Sequence, residues 1–185
     1  MNTALLLVDI QQDYFPGGRM EVVGALEASR AAKKLLGYFR QENLPIVHIQ
    51  HISMRAGATF FLPDTEGINF HENVRPVPDE TIIKKYFPNS FRNTDLQKYL
   101  ESKAINELVI CGMMSHMCID ATVRAAFDEG YSCVVAHDAC AARNLVFNGI
   151  DIPALHVHGA YMAALGAVYA KLSGAEEIIA TLRNT

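Results

Sequence analysis

Short apolar runs alternate along the chain with segments in which apolar residues recur at helical spacing. The first run, TALLLVDI at residues 3–10, is apolar up to Asp9, which is typical of a strand buried on both faces. Residues 24–40 carry one apolar stripe and predict an amphipathic helix. Further runs predict strands at residues 46–50, 81–85, 106–112, 131–139 and 169–172.

Helical patterns separate the later strands. They cover residues 94–104, the segment from the end of the fourth strand to about residue 129, and residues 153–168 and 174–182. Strands that alternate with helices form a parallel sheet covered on both faces, so we expect a three-layer α/β/α fold. No repeat, low-complexity segment or linker divides the chain, and one domain over residues 1–185 is predicted.

Composition and charge narrow the function classes. The net charge is −4 and the sequence has no basic tract, so it offers no cluster of positive charge for binding nucleic acid. The most apolar stretch, residues 159–170, is too short to span a bilayer, so no membrane role is expected. Four cysteines in a chain with a full-sized core favour free thiols, and without a signal pattern at the N-terminus a cytoplasmic location is expected.

Polar residues follow the predicted strands, at the edge where ligands bind in open α/β sheets. They include a carboxylate, a histidine, two lysines and a thiol: Asp9, His51, Lys84, Lys85 and Cys118. A thiol at a helix N-terminus near a cation has a lowered pKa, and an apolar strand end raises the pKa of a carboxylate such as Asp9. A nucleophile, an acid/base and backbone N–H donors are the components of covalent acyl transfer.

The same residues also have simpler interpretations. A cysteine after a strand is most often a small buried hydrophobic residue, so position alone leaves Cys118 open. The other three cysteines are expected in or near the core: Cys111, Cys133 and Cys140. Asp9 alone is equally suited to capping a turn, and lysines at strand ends are usually solvated. The combination of residues is therefore more informative than any one of them.

Three segments, in their order and spacing, resemble the isochorismatase-like hydrolase superfamily in its cysteine hydrolase branch, the nicotinamidase-related amidohydrolases. They are LLLVDIQQDYF (5–15), KYFPNSFRNTDL (85–96) and VICGMMSHMCIDATVRAAFDEGY (109–131). The resemblance implies a doubly wound, six-stranded parallel sheet of Rossmann-like type with strand order 3-2-1-4-5-6. We expect the reaction to need no cofactor.

The resemblance also implies a catalytic triad of Asp9, Lys85 and Cys118. The lysine of the family precedes a phenylalanine by six residues, so Phe91 selects Lys85 and leaves Lys84 as the alternative. In the implied mechanism Asp9 takes the thiol proton and Lys85 stabilises the thiolate. Cys118 then forms an acyl thioester, which water hydrolyses.

A cis peptide bond at Met113–Met114 is implied as well. It would direct the backbone N–H groups of Met114 and Cys118 into an oxyanion hole. Such a bond between residues other than proline is rare and persists only where its surroundings fix it.

Two departures from the wider superfamily restrict the chemistry. True isochorismatases lack the cysteine, so its presence here disfavours isochorismate cleavage. Nicotinamidases carry an Asp-x-His metal motif after the second strand, and this motif is missing from HIQHISMRAG (48–57). We expect no metal, although His51 and His71 leave a metal site open.

Several residues are candidates for a substrate pocket: Gln11, Phe15, Phe60, Phe61, Asn89, Phe91 and His116. Phe60 and Phe61 belong to a long segment between the second and third strands, and loops of that length are usually functional. These two aromatic residues either pin the loop to the body of the protein or line the pocket, and both interpretations stay open.

The helix at residues 153–168 is apolar almost all round and must therefore be buried. The sheet covers one face, and a partner chain is expected on another. Members of the family are usually oligomers, so we expect a homodimer or a homotetramer.

The leading hypothesis is a cysteine-dependent hydrolase that cleaves a small amide or a related C–N bond. The first alternative is a hydrolase of an ester or an isochorismate-type vinyl ether. The second is a non-catalytic thiol redox or binding protein, because oxidants also attack an exposed thiol of low pKa. Loops around the pocket set the substrate, and the motifs do not identify it.

Overall fold

The computed structural model describes residues 2–184. The strands in these residues are β1 (Thr3–Val8), β2 (Ile46–His51), β3 (Thr81–Lys85), β4 (Glu107–Met113), β5 (Ser132–Ala141), β6 (Leu145–Phe147), β7 (Ile150–Ile152) and β8 (Lys171–Ser173). The α-helices are α1 (Ala25–Gln41), α2 (Leu96–Ser102), α3 (Asp120–Asp128), α4 (Ala154–Val168) and α5 (Ala175–Arg183).

Six of the strands form one parallel sheet in the order β3-β2-β1-β4-β5-β8. Because β8 is the sixth strand that the sequence predicts, the doubly wound order 3-2-1-4-5-6 is confirmed. The chain moves outward from β1 in one direction and from β4 in the other. The carboxyl ends of β1 and β4 therefore flank the topological switch point, where ligands bind in such sheets.

Side chains of β1 alternate between two hydrophobic cores, one on each face of the sheet. Leu5 and Leu7 pack with the buried stripe of α1 and with α5. Ala4, Leu6 and Val8 pack on the other face with residues of α2, α3 and α4. All six residues of β1 are buried, which explains why the strand is apolar without alternation.

Gly112 allows β1 and β4 to approach closely at the switch point. It pairs with Val8, and a β-carbon added at Gly112 would collide with the carbonyl oxygen of Val8. Its φ of +127° is also a backbone conformation that residues other than glycine rarely adopt. This close approach keeps the end of β1, which leads to Asp9, next to the end of β4, which leads to Cys118.

The structure differs from the predicted elements in several places. A turn of π-helix, Ser115–Ile119, precedes α3, so the regular helix begins later than expected. The last strand begins at Lys171 rather than at residue 169. The antiparallel hairpin β6–β7 was not predicted, although Asn148 and Gly149 at its turn, both with positive φ, are a strong hairpin signal in sequence.

The apolar helix α4 is not buried all round within one chain. It buries Val157, Met162 and Leu165, whereas Leu155 and Val168 are 77% and 64% exposed. One face of α4 is thus covered within the chain and another is exposed, and the expected burial of that face by a partner chain stays a prediction. Among residues 2–184, no helix combines the length and the apolar character needed to span a membrane.

Candidate active site

The site forms around a buried ion pair between residues at two strand ends. Asp9 follows β1 directly and turns out of the sheet with a φ of +52°, a left-handed conformation that aspartate tolerates better than most residues. Lys85 is the last residue of β3, and its Nζ lies 2.9 Å from Oδ2 of Asp9. Both side chains are fully buried, and Lys85 Nζ also donates to the carbonyl oxygen of Pro88 at 2.7 Å.

Cys118 lies beside this ion pair, in the π-helical turn that follows β4. Its Sγ lies 3.8 Å from Nδ1 of His51, and Nδ1 is 3.6 Å from Oδ2 of Asp9. One polar atom from each of Asp9, His51 and Cys118 lies within 4.8 Å of the other two. The structure thus brings the three predicted triad residues together and adds a histidine to them.

Lys85 is the lysine of this site, because the side chains of a strand alternate between its two sides. Lys84 is exposed on the opposite side of β3, whereas Lys85 is fully buried against Asp9. The alternative assignment of Lys84 to the site is therefore not supported by the geometry.

The protonation states differ from those expected from sequence. Burial raises the pKa of Asp9, but the Lys85 ammonium and His51 outweigh it, so the net pKa lies below the usual value. Burial likewise lowers the pKa of Lys85, and the Asp9 carboxylate reverses this and raises it overall. Burial and the nearby Asp9 charge raise the pKa of the Cys118 thiol far above its usual value, more than Lys85 lowers it.

Two sequence-based expectations are thus wrong. Asp9 was expected to have a raised pKa and Cys118 a lowered one, because the strand end and the helix N-terminus were considered separately. In the folded chain the carboxylate belongs to an ion pair, and the thiol is buried beside a negative charge. The resting site therefore holds an ionised Asp9, a charged Lys85 and a neutral thiol, with no net charge among the three.

His51 is the residue whose position in the site was missed. The sequence placed it at a strand end and considered it only as a metal ligand. In the structure the Gln11 side chain fixes its backbone: Oε1 accepts from the N–H of His51 at 2.7 Å, and Nε2 donates to the carbonyl of His51 at 3.0 Å. Nε2 also donates to the carbonyl of Ile68 at 3.0 Å. Gln11 is buried and uses its amide on the main chain, so its predicted role in a pocket stays a prediction.

Phe61 covers the site from the long segment between β2 and β3. It is fully buried, with its ring 5.7 Å from the His51 ring and 4.6 Å from the Tyr14 ring. Asp13 fixes this residue, since its Oδ2 accepts from the N–H of Phe61 at 2.6 Å. Phe60 packs on Phe61 and Tyr14 and is half-buried. Phe61 therefore pins the loop beside the site, and the pocket roles of Phe60 and Phe61 stay predictions.

The other predicted pocket residues have the following contacts. Phe15 is buried and stacks on His71, with ring centroids 3.8 Å apart. Asn89 Oδ1 accepts from the N–H of Phe91 at 2.8 Å, and the Phe91 ring packs 6.0 Å from the Tyr131 ring. These contacts do not test substrate binding, so the pocket roles of Phe15, Asn89 and Phe91 stay predictions.

His116 is also buried, and its ring lies edge-on to the Tyr161 ring at 6.0 Å. Burial lowers its pKa below the usual value, helped by the positive charge of Arg143. A neutral imidazole two residues before Cys118 is compatible with the predicted pocket position, which stays a prediction.

The loop before Cys118 has the backbone feature that the resemblance implies. The peptide bond between Met113 and Met114 is cis. The carbonyl of Met114 accepts from the N–H groups of Met117 and Ile119 at 3.0 and 3.2 Å, which closes the turn. The use of the Met114 and Cys118 N–H groups as an oxyanion hole stays a prediction.

Asp9, His51 and Cys118 are the group of potential metal ligands found within residues 2–184. A carboxylate, an imidazole and a thiolate suit zinc, but the Lys85 ammonium already lies 2.9 Å from the carboxylate and repels a second cation. His71 is not part of this group: its Nδ1 accepts from the N–H of Asn73 at 3.2 Å, and its ring stacks on Phe15. This donor set suits proton transfer better than metal binding.

Comparison with known proteins agrees with this arrangement. The family model described as the isochorismatase domain matches residues 3–164, most of the chain. The chain belongs to the isochorismatase family. It is a hydrolase of that family, and its six-stranded fold is the isochorismatase fold.

The relatives of this isochorismatase-family hydrolase extend over most of its length. It is 51% identical to the uncharacterized isochorismatase family protein YddQ of Bacillus subtilis, over 97% of this chain and 99% of the relative. A putative isochorismatase hydrolase from Oleispira antarctica has a similar structure, with a TM-score of 0.93, 49% identity and coverage of 97% and 96% of the two chains. A streptothricin hydrolase of Streptomyces noursei is 33% identical over 82% of this chain and 51% of its own.

Proposed function

We propose that this protein hydrolyses a small amide or a related C–N bond through an acyl thioester on Cys118. The observation that carries the proposal is the buried Asp9–Lys85 ion pair, 2.9 Å between charged atoms, placed against a thiol. A charged pair is costly to bury, and perturbed titratable groups that converge on one nucleophile are typical of active sites.

In the first step the Cys118 proton moves to Asp9 as Sγ attacks the substrate carbonyl. The C–S bond forms and the carbonyl π electrons move to oxygen. Because Asp9 is ionised and the thiol is protonated at rest, this transfer creates a neutral carboxyl and a thiolate without changing the net charge. The Lys85 ammonium stabilises the negative charge at both ends of the transfer, on Asp9 before it and on sulfur during it.

The intermediate then collapses and the C–N bond breaks. Asp9 returns the proton to the departing nitrogen, which leaves as ammonia or an amine, and the acyl group remains on sulfur. A water molecule next gives a proton to Asp9 and attacks the thioester. The C–S bond breaks, the acid is released, and the sulfur recovers its proton from Asp9.

A C–N bond is favoured because an amine leaves only if its nitrogen is protonated. The mechanism supplies this proton at the required moment, since Asp9 carries it from the first step onward. An ester places a weaker demand on this acid and is the alternative substrate class. The relative named streptothricin hydrolase supports a hydrolytic reaction.

A redox role is disfavoured by the environment of the thiol. Oxidant-sensing cysteines are exposed and have low pKa values. Cys118 is 3% exposed, and its pKa is raised. Its surroundings suit a nucleophile that forms its thiolate only during attack.

The test is a panel of primary amides, ureides, carbamoyl compounds and matched esters, with wild type and Cys118→Ala side by side. The expected result is ammonia or amine release by wild type and none by Cys118→Ala. Turnover of the esters with no turnover of any matched amide would move the assignment to an esterase. Equal turnover by Cys118→Ala would remove the cysteine mechanism.

A further inference from the structure

We infer that His51 is a fourth catalytic residue, whose Nδ1–H donates to the Cys118 sulfur as it becomes a thiolate. The inference rests on the proposed function in taking Cys118 as the nucleophile. It adds a group outside the Asp-Lys-Cys set, and it assigns this group to activating the sulfur rather than to holding a metal or the substrate.

The distances place the imidazole between the two groups that exchange the proton. Nδ1 of His51 lies 3.6 Å from Oδ2 of Asp9 and 3.8 Å from Sγ of Cys118. The side chain of His51 is 13% exposed, whereas those of Asp9 and Lys85 are fully buried. His51 is therefore the most accessible of these three side chains around the sulfur.

The charge of Asp9 selects the tautomer that carries hydrogen on Nδ1. An ionised carboxylate only accepts hydrogen bonds, so an Nδ1 that faces it is stabilised as a donor. When the proton passes from Cys118 to Asp9, the negative charge moves to sulfur. The Nδ1–H group lies within reach of both positions and follows the charge with a small rotation of the ring.

His51 is held in this place by the Gln11 side chain and the Phe61 ring. Gln11 bonds both the N–H and the carbonyl of His51, and the Phe61 ring packs against the imidazole. His51 also pairs with Lys85 across β2 and β3, so both donors to the sulfur are set by one strand pairing. Preorganised donors aimed at developing charge are the most effective kind of electrostatic catalysis.

Every proton in the transfer from Cys118 to Asp9 is accounted for. The S–H proton of Cys118 goes to Asp9, Lys85 keeps its three protons, and His51 keeps its Nδ1 proton and shares it with sulfur. Without this donor the thiolate is held by Lys85 alone and is less populated. Losing one hydrogen bond to a charged group is expected to lower the population about 10- to 100-fold.

The test is the rate of Cys118 alkylation by iodoacetamide at a fixed pH, read by peptide mass spectrometry. It is measured in wild type, His51→Asn, His51→Leu and His51→Ala. Asparagine places an N–H group at the same bond distance from the backbone as Nδ1, whereas leucine has the same branching without a donor. Thermal melting of each variant reports folding, and Cys118→Ala provides the blank.

We expect alkylation to slow about 10- to 100-fold in His51→Leu and His51→Ala, and to stay within about threefold of wild type in His51→Asn. Removing the imidazole opens the path to sulfur, so poorer access does not explain a slower reaction in His51→Ala. Wild-type alkylation rates in the folded leucine and alanine variants would overturn the inference. If only one of these two variants folds, its rate decides.

The alkylation rate needs no substrate, which separates this inference from the proposed function. Slower alkylation in His51→Leu, with no turnover of any amide or ester by wild type, would support the His51–Cys118 coupling and reject the proposed amide cleavage. Loss of amide turnover in His51→Leu with an unchanged alkylation rate would assign His51 to the substrate and reject the coupling to sulfur.

Discussion

Asp9 and Lys85 stabilise each other's charges in a site where both are shielded from water. Their charged atoms lie 2.9 Å apart, and neither oxygen of Asp9 makes a hydrogen bond of ordinary geometry within residues 2–184. The Lys85 ammonium is therefore the main compensation for the buried carboxylate. Removing one partner leaves the other as an uncompensated charge, which is far more costly than removing both.

We predict that Lys85→Met lowers the free energy of unfolding by about 3–5 kcal/mol, because the Asp9 charge then stays buried without a partner. The double variant Asp9→Asn with Lys85→Met serves as the matched control and is expected to recover most of this loss. Urea unfolding at pH 7 measures both. An equal loss in the single and the double variant would contradict the ion pair as the dominant compensation.

At the scale of secondary-structure elements, Glu80 connects α1, β2 and the segment before β3. Its carboxylate accepts from Arg40 Nε at 2.7 Å, from the N–H of Val77 at 3.0 Å, and pairs with His48 Nε2 at 2.9 Å. Burial opposes the ionised form, but these partners outweigh it and lower the pKa of Glu80 to about 2. Glu80 therefore links the segment that leads into β3, the edge strand that carries Lys85, to α1 and β2.

The lowered pKa of Glu80 predicts a pH dependence of stability. The folded-state pKa of Glu80 lies below the usual 4.5, so the ionised Glu80 carboxylate stabilises the folded protein above about pH 4.5. This stabilisation is lost as the pH falls towards 2. Glu80→Gln should cost up to about 3 kcal/mol at pH 7 and flatten the loss of stability between pH 5 and 2. Chemical unfolding across this range measures it, and parallel curves for wild type and variant would refute it.

A second prediction at this scale concerns the close approach of β1 and β4. Gly112→Ala is expected to disrupt the site or the fold, because the added carbon collides with the carbonyl oxygen of Val8 and the φ of +127° is unfavourable for alanine. Gly37→Ala is the control, since an added carbon there, on the exposed face of α1, meets no atom within 4 Å. It should raise stability by about 0.5–1 kcal/mol. Equal melting temperatures for the two variants would contradict the role of Gly112.

The elements that position the site were largely predictable from sequence, whereas its electrostatics were not. The apolar run that ends at Asp9 is a local pattern that identifies a strand end, and the spacing to Phe91 in the family resemblance selected Lys85 over Lys84. The pKa directions of Asp9 and Cys118 depend on partners that are distant along the chain, which no local pattern reports. His51 was missed as a catalytic candidate for the same reason, since Gln11 and Phe61 fix it from other parts of the chain.

At the scale of the whole molecule, one region of the surface is unusually apolar. The hairpin β6–β7 exposes Val146, Phe147 and Ile150 by 65–68%, and the neighbouring start of α4 exposes Leu155 by 77%. Exposed apolar side chains that cluster in this way mark interaction surfaces. The homo-oligomer expected from sequence stays a prediction, and this hairpin is where we expect a second copy to bind.

We predict that Phe147→Glu lowers the mass of the particle in solution, because a charge at the centre of an apolar contact is not compensated. Met54→Glu is the control, since Met54 is 66% exposed and belongs to the segment between β2 and β3 rather than to the hairpin. Light scattering coupled to size-exclusion chromatography measures the mass. A monomeric wild type, or an unchanged mass in Phe147→Glu, would contradict the predicted interface.

The most direct test of the cysteine mechanism is to trap its acyl intermediate. Wild type and Cys118→Ala are mixed with an amide that wild type turns over, with hydroxylamine present, and are quenched in acid. We predict that wild type yields the hydroxamate of the acyl group and carries the acyl mass on the peptide containing Cys118, whereas Cys118→Ala yields neither. Turnover of the amide by Cys118→Ala at the wild-type rate, without an adduct in either protein, would contradict the thioester mechanism.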